Sequence, residues 1–251
     1  MRRISIAIVI IILSVSHYAI ARPSFELSTD FLSQYIWRGY ALSYDSMVIQ
    51  PSFTILYKGL SLNVWGNFDT DEYIREDAEW NETDYTFSYS RDLLPFLSLT
   101  FGSIYYELDE TEDSFEIFSG ISFDLNYLRF GFTLYREVSH YPGWWLQFDL
   151  SKTVELPYGM DLNTGLTLYY QDSDDEDAYP DPDDPTDSFS GWQSALISVT
   201  LNMPFSERVT VSSKLMYSFP LSGKASKEIK MLSWQKDDNF IYGGIGVSVN
   251  F

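Results

Sequence analysis

The sequence contains no cysteine, which excludes a disulfide framework, a thiolate metal site and a lipid-anchored N-terminal cysteine. Only two histidines are present, too few for a histidine-rich metal centre. Bases are scarce: 16 Lys and Arg stand against 36 Asp and Glu, a formal net charge of -20. That balance argues against nucleic acid as a partner, because a binder needs a basic face to displace phosphate counterions. Long apolar runs are missing after residue 21, where nothing approaches the roughly twenty consecutive apolar residues of a transmembrane helix. What the chain has in quantity is rings, with 19 Tyr, 18 Phe and 7 Trp. So many large apolar groups must be buried in protein or in lipid.

The N-terminus sets the compartment. Arg2 and Arg3 precede an apolar run from Ile4 to Val15, and Ala19, Ile20 and Ala21 supply a small-residue cleavage site. The expectation is a secretion signal over 1–21, cleaved after Ala21, and one domain over 22–251. His17 leaves with the signal.

Past Arg22 apolar residues recur at every second position, the period of strands with two unlike faces, and no convincing run has helical spacing. The domain is expected to be all-β. Phe115, Ile117, Ser119, Ile121, Phe123 and Leu125 alternate with Glu116, Phe118, Gly120, Ser122 and Asp124. Runs of this kind predict strands over 24–38, 48–57, 60–70, 80–91, 97–108, 114–125, 128–139, 143–156, 161–172, 191–204, 209–220 and 239–251. Each has the length of a tilted strand crossing an outer membrane, roughly nine to eleven residues or slightly more.

Tight connections carry turn chemistry at Lys58 and Gly59, Asp92 to Pro95, Asn126 and Tyr127, Pro157 to Gly159, and Ser206 to Arg208. Between them fall mostly longer polar connections at 39–47, 70–79, 109–113, 140–142, 173–190 and 221–238. This short-long order favours a closed antiparallel barrel of about twelve strands over a soluble sandwich. Rings gather near the predicted outer ends: Tyr35, Trp37, Trp80, Tyr105, Tyr106, Tyr141, Trp144, Trp145, Tyr169, Tyr170 and Trp192. They are expected to form a belt at the lipid headgroups. The last strand sets Ile245, Val247, Val249 and Phe251 on one face and resembles the terminal signal read by the bacterial barrel-assembly machinery. Both termini are then expected in the periplasm of a Gram-negative envelope, with outer-membrane lipid and lipopolysaccharide as surroundings.

The segment Leu27 to Ser43 (LSTDFLSQYIWRGYALS) resembles the opening of the bacterial porin family sometimes labelled TorF, whose first strand carries an aromatic-x-aromatic-Arg-Gly signature. Gln50 to Ser52, Leu62 to Gly66 and Glu82 to Tyr85 resemble that family's next three strand openings, so the likeness covers about the first third of the chain. It implies an outer-membrane location and a barrel architecture. The role expected of that barrel is a porin-like channel for passive or mildly cation-selective diffusion of small hydrophilic solutes.

With the apolar face outward, the lumen is expected to hold Asp30, Gln34, Arg38, Asn63, Asn67, Asp69, Asp84, Glu116, Asp124, Arg129, Glu137, Gln147, Asp149 and Lys214. The solute pathway is assigned to Arg38, Asp30, Glu116, Arg129, Glu137, Asp149 and Lys214. Carboxylates outnumber bases there, which favours cations. The rival expectation is that Arg38, Arg129 and Lys214 pair with acidic neighbours and plug the lumen, giving a non-conducting structural or adhesive barrel. Arg38 is either a fork for a carboxylate or phosphate or, more simply, the anchor of an outer loop. The acidic run 172–187 offers Asp174, Asp175, Asp181 and Asp183 as weak surface cation candidates, against the default of a solvated loop stiffened by Pro180, Pro182 and Pro185. A lipid-modifying enzyme would have to use His140, whose neighbour Ser139 points to the opposite strand face. No catalytic residue, resident metal or cofactor is implied.

Overall fold

The computed structural model describes residues 22–73, 77–109 and 111–251. The secretion signal expected at 1–21 lies outside the described residues. Twelve antiparallel strands form a closed barrel: β1 (Ser24–Leu32), β2 (Val48–Tyr57), β3 (Leu60–Glu72), β4 (Asp77–Leu94), β5 (Leu97–Leu108), β6 (Ser114–Asp124), β7 (Arg129–Glu137), β8 (Gly143–Glu155), β9 (Asp161–Ser173), β10 (Ser190–Pro204), β11 (Val209–Pro220) and β12 (Phe240–Asn250). Each pairs with its sequence neighbours, and β1 closes on β12 in the register Leu27 to Val249, Thr29 to Val247 and Phe31 to Ile245. Closure leaves no unpaired edge, which hydrocarbon would not tolerate.

Alternation along the strands gives the two faces. Leu27, Phe31, Phe53, Leu62, Val64, Phe87, Phe101, Ile117, Ile241 and Ile245 are exposed on the outside, an apolar surface suited to lipid. The inward side chains near the short turns are mostly hydroxyls and amides. Asn63 donates to Ser52 at 2.7 Å and to Thr54 at 2.8 Å, Ser90 lies 2.9 Å from Thr100, and Asn202 donates to Asp161 at 2.8 Å. At this end the strands turn through Lys58 and Gly59, whose φ values of 49° and 85° explain the glycine, and through Asn126 at 64°.

The expected strand over 24–38 is too long. Strand β1 stops at Leu32, and Ile36–Trp37 pairs with Tyr40–Ala41 in a separate ribbon. The ribbon turns on Arg38 and Gly39, at φ 46° and 100°. Expecting no helix was also incorrect: α1 (Gly223–Leu232) occupies the connection before β12. Its N-cap Ser222 accepts from the Ala225 N–H, and its buried residues Ala225, Glu228 and Ile229 lie on one face. A carboxyl in the middle of that stripe interrupts the apolar period, which is why the sequence reads as a polar loop there.

The closing seam holds an ion pair across β12. Lys214 on β11 reaches Asp30 on β1 at 2.6 Å, passing over Gly246. A Cβ on Gly246 would lie 2.3 Å from Asp30 Oδ1 and 2.8 Å from Ser212 Oγ. Gly246→Val should separate the pair and overpack the seam, losing about 1–3 kcal/mol. The check is the temperature at which the folded band is lost on SDS gels, which should fall clearly below that of a Ser248→Val control.

Candidate functional site

The half of the lumen nearest the long connections is occupied by the chain itself. Between β1 and β2 the ribbon folds inward, and its tip meets the wall at β10, three strands round from β1. There Ser194 Oγ donates to the Arg38 carbonyl at 3.0 Å, and a Cβ on Gly39 would lie 2.6 Å from Ser194 Oγ, so only glycine fits. The Arg38 guanidinium then reaches β6 and forks onto Glu116 with bonds of 2.7 and 2.8 Å. Tyr106 donates to the same carboxylate at 2.8 Å. Ring centroids of Tyr135, Trp37 and Trp145 lie 4.4, 4.6 and 5.0 Å from the guanidinium carbon. Charge-assisted bonds and ring faces together make good the desolvation of the cation.

A second layer covers the ribbon. Tyr40, Ala41, Trp145, Ile229, Phe240 and Tyr242 form a buried cluster, with Tyr179 of the acidic loop packed on it. Tyr40 Oη lies 2.9 Å from Gln171 Oε1 and 2.6 Å from Glu228 Oε1. One hydroxyl proton cannot serve two acceptors. Burial pushes the Glu228 carboxyl up to about 8, so near neutral pH the acid form donates to Tyr40 while Tyr40 donates to Gln171. Desolvation likewise raises Tyr40 and Tyr179 above the ordinary phenol value, keeping both neutral.

Against this plug, toward the long connections, lies a cavity of about 490 Å³. Its walls include the rings of Trp37, Tyr40, Tyr106, Trp145 and Tyr179 and the carboxyl groups of Glu82, Glu116 and Glu137. Among the described residues, its lining contains no Lys, Arg or His.

The residues assigned to the solute pathway are thus dispersed. Arg38 and Glu116 are joined at the plug, and Lys214 and Asp30 at the seam. Glu137 lines the cavity, but its carboxylate also accepts from the backbone amides of Ser139, His140 and Tyr141. Asp149 accepts from Gln147 and Thr167. Arg129 is exposed near the short turns, opposite Asp124. The acidic loop is docked: Asp174 pairs with Arg136, Asp181 with Lys224 and Asp183 with Lys227, while Asp175 accepts from the amides of Asp177 and Ala178. No group of three or more His, Asp or Glu suited to a metal ion occurs among the described residues. His140 is half exposed, its Nδ1 is 2.7 Å from the Asp113 carbonyl oxygen, and Ser139 donates to Glu137 instead.

The expected aromatic belt needs correction. Trp80, Tyr105, Trp144 and Trp192 face outward and are exposed, but Tyr35, Tyr106 and Trp145 are buried inside, and Trp37 and Tyr169 pack on the inner cluster. Adjacent residues on a strand face opposite ways, so each ring doublet sends one member to lipid and one to the lumen. Glu228, Tyr40, Gln171 and Tyr179 were missed as site residues, since nothing in the strand period marks inward-folding loops.

The closed wall, apolar exterior and polar interior define a twelve-stranded barrel of the outer-membrane type, with a folded-in plug in one half of its lumen. Among solved structures it is similar to the KdgM porin (TM-score 0.57, 10% identity, covering 90% of this chain and 99% of that one). It is similar also to the NanC porin (0.56, 11%, covering 90% and 98%) and to an outer membrane channel from Pseudomonas putida F1 (0.50, 9%, covering 95% and 100%). At such identities the likeness is one of fold. No protein-family model matches the chain, and no curated protein matches it in sequence.

Proposed function

We propose that this chain is an outer-membrane channel of porin type, closed in the described conformation and favouring small hydrophilic cations. The observation that supports it best is the barrel itself, apolar outside and lined by hydroxyls, amides and carboxylates inside. The chain's net charge of -20 and its acidic cavity would concentrate cations. The opening signature through Trp37, Arg38 and Gly39 supports kinship with the TorF-like porins. In this reading the signal over 1–21 is removed, and the short turns and both termini face the periplasm. The acidic loop then faces outward among lipopolysaccharide, and the barrel-assembly machinery reads Phe251.

A second reading is a non-conducting structural or adhesive barrel, favoured by the Arg38–Glu116 pair across the lumen. Planar-bilayer recording separates the two. With purified mature protein in a salt gradient, discrete steps should appear, and the reversal potential should have the sign of cation preference. Anion preference would remove the selectivity claim, and silence from protein shown to be folded, across a range of pH, would leave the structural barrel.

A further inference from the structure

The internal occupant of the plug indicates what a solute would look like. Around the Arg38 guanidinium stand a two-oxygen carboxylate at 2.7 and 2.8 Å and three ring faces within 4.4 to 5.0 Å. This is a receptor for a flat, delocalised cation: the carboxylate matches the fork, and the rings match the charged plane. Glu116, Trp37 and Trp145 belong at once to this receptor and to the wall of the cavity. The cavity's volume falls in the range of small-molecule sites. Buried Glu82 and Glu137 add carboxyl groups to the wall, which disfavours an anion.

We propose that Arg38 is a built-in stand-in for the solute, and that the cavity takes a small organic cation bearing a guanidinium group. The solute enters beside Trp37 and Trp145 and takes the Glu116 fork from Arg38. The exchange replaces one buried ion pair by another of the same kind, so no charge is left unpaired on Glu116. Tyr106, donating to Glu116 at 2.8 Å, holds the carboxylate in place through the exchange. Freed from Glu116, the ribbon loses its main cross-lumen anchor. A compact ammonium would fit less well, since it offers neither a planar fork nor a flat face. The inference rests on the channel reading in taking the cavity as the solute's entry, but binding can be measured without conduction.

The test is calorimetric titration of the full mature chain in detergent micelles with butylguanidinium, its uncharged analogue butylurea, and butyrate. Because Arg38 competes from within the chain, unaltered protein should bind butylguanidinium weakly. Arg38→Ala should bind it at least tenfold more tightly, tenfold better than butylurea, and should not bind butyrate. Adding Glu116→Gln to Arg38→Ala should undo the gain. Equal affinity for butylurea, or a gain that survives Glu116→Gln, would overturn the proposal. Should Arg38→Ala not fold, Arg38→Lys, which keeps a charge but loses the fork, should still bind more tightly than unaltered protein, and no gain counts against the idea. Binding by a barrel that never conducts would keep this receptor and remove the channel. Conduction without guanidinium binding would do the reverse.

Discussion

Arg38→Ala is expected to convert a closed channel into a leaky one, with single-channel conductance and open time in planar bilayers both rising severalfold. Glu116 and Arg38 are almost wholly shielded, at 2% and 9% exposure. Removing one member of such a pair leaves an uncompensated buried charge, a loss of about 3–5 kcal/mol. At 1.4 kcal/mol per factor of ten, this multiplies the population with the ribbon released by roughly 10²-fold or more. The ring faces on Trp37, Tyr135 and Trp145 lose their cation in the same step. Arg38→Met with Glu116→Leu removes both charges and fills the space, so that double variant should stay closed. Conductance in Arg38→Ala indistinguishable from that of the unaltered protein would show that the ribbon does not depend on the pair.

Raising the pH should loosen the other half of the plug. Below about pH 4.5 the Glu228 carboxyl is protonated whether α1 is docked or released, and docking is at full strength. Between there and about 8 the released helix ionises while the docked one stays neutral, so docking weakens with every step in pH. Above about 8 both forms are ionised and the loss is complete. At 1.36 kcal/mol per pH unit the whole span is worth at most about 5 kcal/mol. Facing the carboxyl are Tyr40 on the ribbon, Gln193 on β10 and Tyr179 on the acidic loop, none of which supplies a positive charge. Open probability, or the rate of proteolytic cutting within 221–239, should climb from pH 5 to 8. Glu228→Gln should flatten that dependence and stay docked. A slope unchanged in Glu228→Gln would refute the assignment to this carboxyl. The pairs Lys224–Asp181 and Lys227–Asp183 tie α1 to the acidic loop at the surface, so added salt should make release easier at any pH.

Strand positions were legible because lipid and lumen impose opposite demands on alternate side chains. That is why the strand expected over 114–125 could be placed from its pattern alone, and the observed strand, Ser114–Asp124, ends one residue earlier. The ribbon was illegible for the same reason. Residues 33–38 continue the alternation of β1, yet the chain leaves the wall after Leu32, because rings and a guanidinium can be satisfied inside by partners such as Glu116, 78 positions away. Helix α1 escaped notice because its buried stripe is short and carries Glu228, whose partner Tyr40 lies 188 positions off. Of the residues assigned to the pathway, Arg38 and Glu116 belong to the plug, Glu137 to the cavity wall, and Asp30 and Lys214 to the seam.

By itself the sequence determined the strands, through period two, and favoured a closed barrel of about twelve of them with an apolar exterior, through the short-long order of connections, the ring-rich strand ends and the last strand, since each of these is a local pattern. The contents of the lumen were decided only by tertiary structure. Whether an inward polar side chain meets water, an ion pair or a folded-in loop depends on which distant strands closure brings opposite it. For Arg38 that partner was Glu116, and the pairing anchors the ribbon that fills the half of the lumen nearest the long connections.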